Sequence, residues 1–90
     1  MAIVERTVEI VNPLGLHARP SAEFVKLASK FRAEVSLAKD GMDVNGKSIM
    51  GVMTLAAECG SHLMIRAEGD DAEAAATALA ELVAKGFSEV

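Results

Sequence analysis

The chain contains no tryptophan and no tyrosine, and its aromatic residues are Phe24, Phe31 and Phe87 alone. With 51% hydrophobic residues it can still bury a core, but that core has to be built from Val, Leu, Ile, Met and Ala. Cysteine is as scarce. Cys59 stands alone, which excludes an internal disulfide and fits a reducing cytoplasm. Nothing beside it in sequence would activate the thiol, so a small packed side chain is expected. No run of about 18 apolar residues occurs, so neither a transmembrane span nor direct membrane insertion is expected. The opening Met1-Ala2-Ile3-Val4-Glu5 lacks the basic and apolar stretches of a secretory signal. Nine basic residues face thirteen acidic ones, for a net charge of −4 with neutral histidines, a poor balance for binding nucleic acid. A glycine-rich phosphate loop and a dinucleotide fingerprint are both missing. No cluster has metal-ligand spacing, so neither a metal nor a cofactor is expected.

Ninety residues make one small domain, taken as 1–90. A domain of this size has little room for a deep pocket. Its site should be shallow and exposed, with a larger partner supplying much of the chemistry.

The pattern of residues changes type repeatedly along the chain. Val4, Arg6, Val8 and Ile10 alternate with Glu5, Thr7 and Glu9 as in a strand. From Arg19 the pattern is helical: Phe24, Leu27, Ala28 and Phe31 share one face, and Glu23, Lys26 and Lys30 the other. Val35 and Leu37 predict a second strand. Asp40-Gly41 predicts a turn, with a third strand over Met42 to Val44. After the Asn45-Gly46 turn, Ser48 is placed to N-cap an apolar helix of Ile49, Met50, Val52 and Met53, kept short by Gly51. Leu63, Ile65 and Ala67 alternate with His62, Met64, Arg66 and Glu68 in a fourth strand. Asp70 and Glu73 have capping-box spacing ahead of a helix carrying Ala75, Leu79, Leu82 and Val83, which Lys85-Gly86 ends. The order β-α-β-β-α-β-α predicts an α+β fold, an antiparallel or mixed sheet with helices on one face.

The richest segment for chemistry is Asn12-Pro13-Leu14-Gly15-Leu16-His17-Ala18-Arg19-Pro20. It sets His17 between a turn and a helix start. A helix start offers unpaired N–H groups and a partial positive charge, Gly15 is expected to let the backbone turn close to a ligand, and Pro20 fits the first helical turn. Arg19 brings a planar fork suited to phosphate oxygens. A purely structural imidazolium belongs at the other end of a helix. An imidazole at this end can instead attack phosphorus, and the dipole and Arg19 then meet the added negative charge. The dipole supplies only about 0.3–1 kcal/mol when exposed, enough to hold a phosphoryl group and little enough to release it. His62 is expected to be an exposed strand residue. Ser48, a cap in any case, is also a candidate for phosphorylation, since phosphate is favourable at a helix N-terminus. Met50 and Met53 fit either a core or a binding surface.

Gly15-Leu16-His17-Ala18-Arg19-Pro20 together with Asn45-Gly46-Lys47-Ser48-Ile49-Met50-Gly51-Val52-Met53 resembles the HPr family. These are the histidine-containing phosphocarriers of the bacterial phosphoenolpyruvate-dependent phosphotransferase system. The resemblance runs through the whole chain in length, segment order and motif register. It implies an open-faced β-sandwich, four antiparallel strands covered on one face by three helices. It implies a carrier rather than an enzyme, whose His17 takes a phosphoryl group at Nδ1 from phosphorylated Enzyme I and passes it to enzyme IIA domains. Arg19 and the backbone N–H groups of Ala18 and Arg19 would stabilise that group. By the same match Ser48 corresponds to the site of the ATP-dependent HPr kinase/phosphorylase, and Ala18, Arg19, Ala22, Ile49, Met50, Gly51 and Met53 to the docking patch. Leu14 stands where many sugar-system members have Asn or Ser, which brings the loop closer to the nitrogen-related regulatory branch. Ser21 stands where Ala is usual. The alternatives to a sugar-system carrier are therefore a nitrogen-related phosphorelay and a regulatory module read out through phosphorylated Ser48. Relay between successive partners suits a monomer.

Overall fold

The strict alternation of apolar and polar residues in the strands produces a sheet with one dry face. In the computed structural model, which describes residues 2–88, the strands are β1 (Ile3–Glu9), β2 (Glu34–Lys39), β3 (Met42–Asn45) and β4 (His62–Glu68). They form one four-stranded sheet in the order β1-β4-β2-β3, every pairing antiparallel. Val35 pairs with Ala67 and Leu37 with Ile65, and all four are buried with Leu63 beneath the helices. Side chains of the intervening residues, among them Glu5, Glu9, His62, Met64 and Arg66, are exposed on the opposite face. His62 lies 3.6 Å from Glu9 there, the exposed strand position expected of it.

Three helices cover the dry face: α1 (Ala18–Ala28), α2 (Ile49–Thr54) and α3 (Ala72–Ala84). Phe24 of α1, Val52 of α2 and Ala75, Ala76, Leu79 and Val83 of α3 are fully buried. This is the βαββαβα open-faced sandwich expected from the sequence. A 3-10 turn over Gly86–Ser88 follows α3, and Gly86 takes the positive φ of 64° that lets a helix end there.

Local readings need adjustment at three places. Helix α1 stops at Ala28, so Phe31 packs half-buried from the turn beyond it rather than from the helix face. The N-cap of α3 is Asp71, not Asp70, and its carboxylate does not cap the helix. It accepts the backbone N–H groups of Arg32 and Ala33, each at 2.8 Å, and ties the start of α3 to the approach to β2. Those bonds, the one from Arg32 foremost, hold the Asp71 carboxyl below the ordinary carboxylate range because they favour its charged form. Glu73 completes no capping box either: it pairs with Arg6 of β1. Cys59 is exposed, not packed. It lies in the turn before β4, where the backbone makes the tertiary bonds and the side chain is left outside, its Sγ 3.7 Å from the Val11 carbonyl.

Candidate functional site

The loop ahead of α1 is held by backbone hydrogen bonds and by the side chains of Asn12 and Ser21. The Gly15 N–H donates to the Asn12 carbonyl at 3.1 Å, and the His17 N–H to the Gly15 carbonyl at 3.0 Å. The buried Asn12 amide donates to the same Gly15 carbonyl at 2.8 Å. Leu16 reaches across to the turn before β4, its N–H donating to the Ala57 carbonyl at 2.9 Å. Ser21 is fully buried, and its hydroxyl donates to the Leu16 carbonyl at 3.1 Å. The serine that departs from the usual alanine therefore binds the first turn of α1 to the loop.

Gly15 does allow a close approach, but not to a ligand. At φ 69° its α-carbon faces the Ala57 carbonyl, which a Cβ would meet at 2.3 Å. The chain's own turn occupies the space that the sequence assigned to a bound group.

These contacts place His17 at the N-cap of α1, half-buried and in extended backbone conformation. Its carbonyl accepts the Ser21 N–H at 3.1 Å, and its side chain makes no capping bond. The N–H groups of Ala18 and Arg19 have no intrahelical acceptor, and Pro20 has no N–H at all. The first turn therefore offers two donors beside His17, from Ala18 and Arg19. Helix α1 carries no acidic residue in that turn to neutralise them.

A surface groove of about 720 Å³ opens at this point, lined by Pro13, Leu14, His17, Arg19, Pro20, Glu23, Phe87 and Ser88. It is the shallow, exposed site expected for a chain of this size. Its far wall is the turn after α3, where Gly86, Phe87 and Ser88 all have left-handed φ. Phe87, Ser88 and Glu23 were not legible as site residues. The first two come from the far end of the chain, and Glu23 read as part of the solvated face of α1. The spacing Arg19 to Glu23, one helical turn, was the available signal.

Helix α2 packs beside α1. Ser48 is its N-cap, and the hydroxyl accepts the Gly51 N–H at 3.1 Å. Met50 is 76% exposed, with Ile49 and Met53 also exposed. The open question about the methionines is thus decided for the surface, and only Val52 of α2 enters the core. Ala18 and Arg19 are exposed, and Ala22 and Gly51 half-buried, on the two neighbouring helices. Among the described residues no group of three or more His, Cys, Asp or Glu side chains could hold a metal. Among the described residues no helix is long and apolar enough to cross a membrane.

A groove with an imidazole, a guanidinium and two unpaired helix donors is suited to a phosphoryl group, and comparison with known proteins points the same way. The family model described as "PTS HPr component phosphorylation site" matches residues 4–85. The phosphocarrier protein HPr of Treponema pallidum is 46% identical over 87 residues, covering 97% of this chain and 99% of that protein. Among solved structures, HPr-C-His from Thermoanaerobacter tengcongensis superposes with a TM-score of 0.93 at 48% identity, covering 97% of this chain and 98% of that one. An HPr dimer from the same organism superposes with a TM-score of 0.78 at 49% identity, covering 91% and 94%.

Proposed function

Because this chain belongs to the PTS HPr family and is a phosphocarrier rather than an enzyme, we propose that His17 is the residue that carries the phosphoryl group. The observation behind this is the placement of His17 at the N-cap of α1, in one groove with Arg19. The donor is phosphorylated Enzyme I and the acceptor an enzyme IIA domain. In loading, Nδ1 of His17 forms a bond to phosphorus as the bond from phosphorus to Enzyme I breaks. In delivery the same exchange runs onward to the acceptor.

Charge builds on the transferred oxygens in both steps, so catalysis is mainly positioning and electrostatics. The Ala18 and Arg19 N–H groups and the Arg19 fork face that charge. The exposed apolar residues Ile49, Met50 and Met53, with Ala18, Arg19, Ala22 and Gly51, form the docking patch. Both partners are met in the cytoplasm, by a monomer, although one HPr has been solved as a dimer. Leu14, 78% exposed on the groove rim, is where a partner would read the difference between sugar and nitrogen branches. The sugar-system Enzyme I is taken as the donor.

Arg19→Ala tests the electrostatic part of this reading. With sugar-system Enzyme I and phosphoenolpyruvate, the variant is expected to load at least about tenfold more slowly, the loss of one charge-assisted contact to the transferring group. Rapid-quench mass measurement reads the rate. An unchanged rate removes Arg19 from the mechanism.

A second reading concerns Ser48. Its hydroxyl sits at the start of α2, directly before the exposed Ile49 and Met50. A phosphate there, added by an HPr kinase/phosphorylase, would stay compatible with the helix while placing about two negative charges on the apolar docking patch. Ser48→Asp is expected to weaken docking to Enzyme I by about tenfold while the folded state persists. Titration calorimetry that finds equal affinities removes Ser48 from control of docking.

A further inference from the structure

Among the described residues, Glu23 is the one carboxylate lining the His17 groove. It follows Arg19 by four positions on α1, so the two side chains project from the same face of the helix. The order Arg before Glu runs against the helix dipole, and α1 therefore holds such a pair weakly. Among the described residues, the ion pairs formed do not include one between Arg19 and Glu23. Both side chains are exposed at the groove, and Arg19 is left within reach of either anion, the carboxylate of Glu23 or a group on His17.

We propose that Glu23 is a positioning residue that acts through Arg19 and sets how tightly the carrier holds its phosphoryl group. The inference rests on the His17 carrier reading. Before loading, the Glu23 carboxylate attracts the Arg19 guanidinium. Loading brings about 1.5–2 negative charges into the groove, and the fork of Arg19 turns to the phosphoryl oxygens. Glu23 then faces a like charge within the same groove. The loaded state is raised relative to the unloaded one, and the phosphoryl group stays ready to leave. Among the described residues, the other groups lining the groove supply no second anion: Pro13, Leu14, Pro20 and Phe87 are apolar and Ser88 is neutral.

An equilibrium measurement separates this role from docking. Catalytic Enzyme I is mixed with the full chain and with phosphoenolpyruvate and pyruvate at a ratio that leaves the wild type half loaded. Intact mass spectrometry at neutral pH reads the end point. Docking alters only the rate of approach to that end point, whereas a shift in the end point reports the relative free energy of the loaded and unloaded carrier. Glu23→Gln is expected to raise the ratio of loaded to unloaded carrier by about two- to fivefold at low salt, the scale of one exposed charge interaction. The gain should shrink in high salt, where such charges are screened. Glu23→Asp should stay near the wild type, and Glu23→Lys should exceed Glu23→Gln. An end point unchanged by Gln and Lys in a protein that does load overturns the role of Glu23 alone. A wild type that takes no phosphoryl group overturns the carrier reading, and this inference with it.

Discussion

Replacing His17 with alanine is expected to abolish phosphoryl acceptance and leave the fold in place. The chemical effect should be all or none because the variant lacks the proposed nucleophile. The other histidine, His62, stands on the open face of the sheet beside Glu9, away from the Ala18 and Arg19 N–H groups at the start of α1. The structural effect should be small. The bond His17 gives to α1 comes from its carbonyl, which accepts the Ser21 N–H, and alanine keeps that carbonyl. The loop on either side is fixed by Asn12, Gly15, Leu16 and Ser21. Stability should therefore change by no more than about 1 kcal/mol, within the usual range for a partly exposed position. Incubation with Enzyme I, phosphoenolpyruvate and Mg²⁺ should give one acid-labile phosphoryl adduct on the wild type and none on the variant. A thermal melt should show both folded. An adduct of equal yield on His17→Ala would show that another residue is the acceptor.

Gly15→Ala should be the most damaging change to stability near the site. Two costs add. An alanine at φ 69° enters the left-handed region, at about 1–2 kcal/mol. Its Cβ would also lie 2.3 Å from the Ala57 carbonyl oxygen and 3.0 Å from the Glu58 α-carbon. Both are backbone atoms, so no side chain can swing aside, and overpacking of this kind costs about 1–3 kcal/mol. A total of about 2–5 kcal/mol should lower Tm by roughly 10–40 °C in a domain of this size. The strain falls on the Leu16–Ala57 hydrogen bond that anchors the loop, so His17 shifts and loading slows as well. Gly41→Ala is the control: its φ is 83° but a Cβ there meets nothing within 4 Å. It should lose the conformational part only. Melts in which the two variants fall together would show that the Ala57 contact carries no weight.

What the sequence reveals here is whatever repeats or is local. The strands are legible because Val35, Leu37, Leu63, Ile65 and Ala67 alternate with polar neighbours. The N-cap role of Ser48 is legible because capping needs only a hydroxyl and a nearby N–H. The position of His17 is legible because a turn glycine and a first-turn proline bracket it. Long-range choices are not. The sheet order β1-β4-β2-β3 depends on packing rather than on any local pattern. The Asp71 carboxylate turns away from its own helix because the N–H groups of Arg32 and Ala33 come near only in the folded chain. Gly15 is legible as a turn residue, yet the Ala57 carbonyl it accommodates lies far along the chain. Cys59 is a lone small residue in a turn, where no periodicity tells inside from outside. Met50 and Met53 have helical spacing that fits a core or a surface equally, and only the packing of α2 through Val52 decides it.

The central claim is that one nitrogen of His17 carries the phosphoryl group. NMR of the protein with ¹⁵N-labelled histidine, recorded before and after loading by Enzyme I and phosphoenolpyruvate, tests it most directly. The predicted result is a large shift of the His17 Nδ1 resonance with coupling to phosphorus, while His62 is unchanged. Coupling to phosphorus at His62, or a loaded protein in which neither imidazole responds, would contradict it.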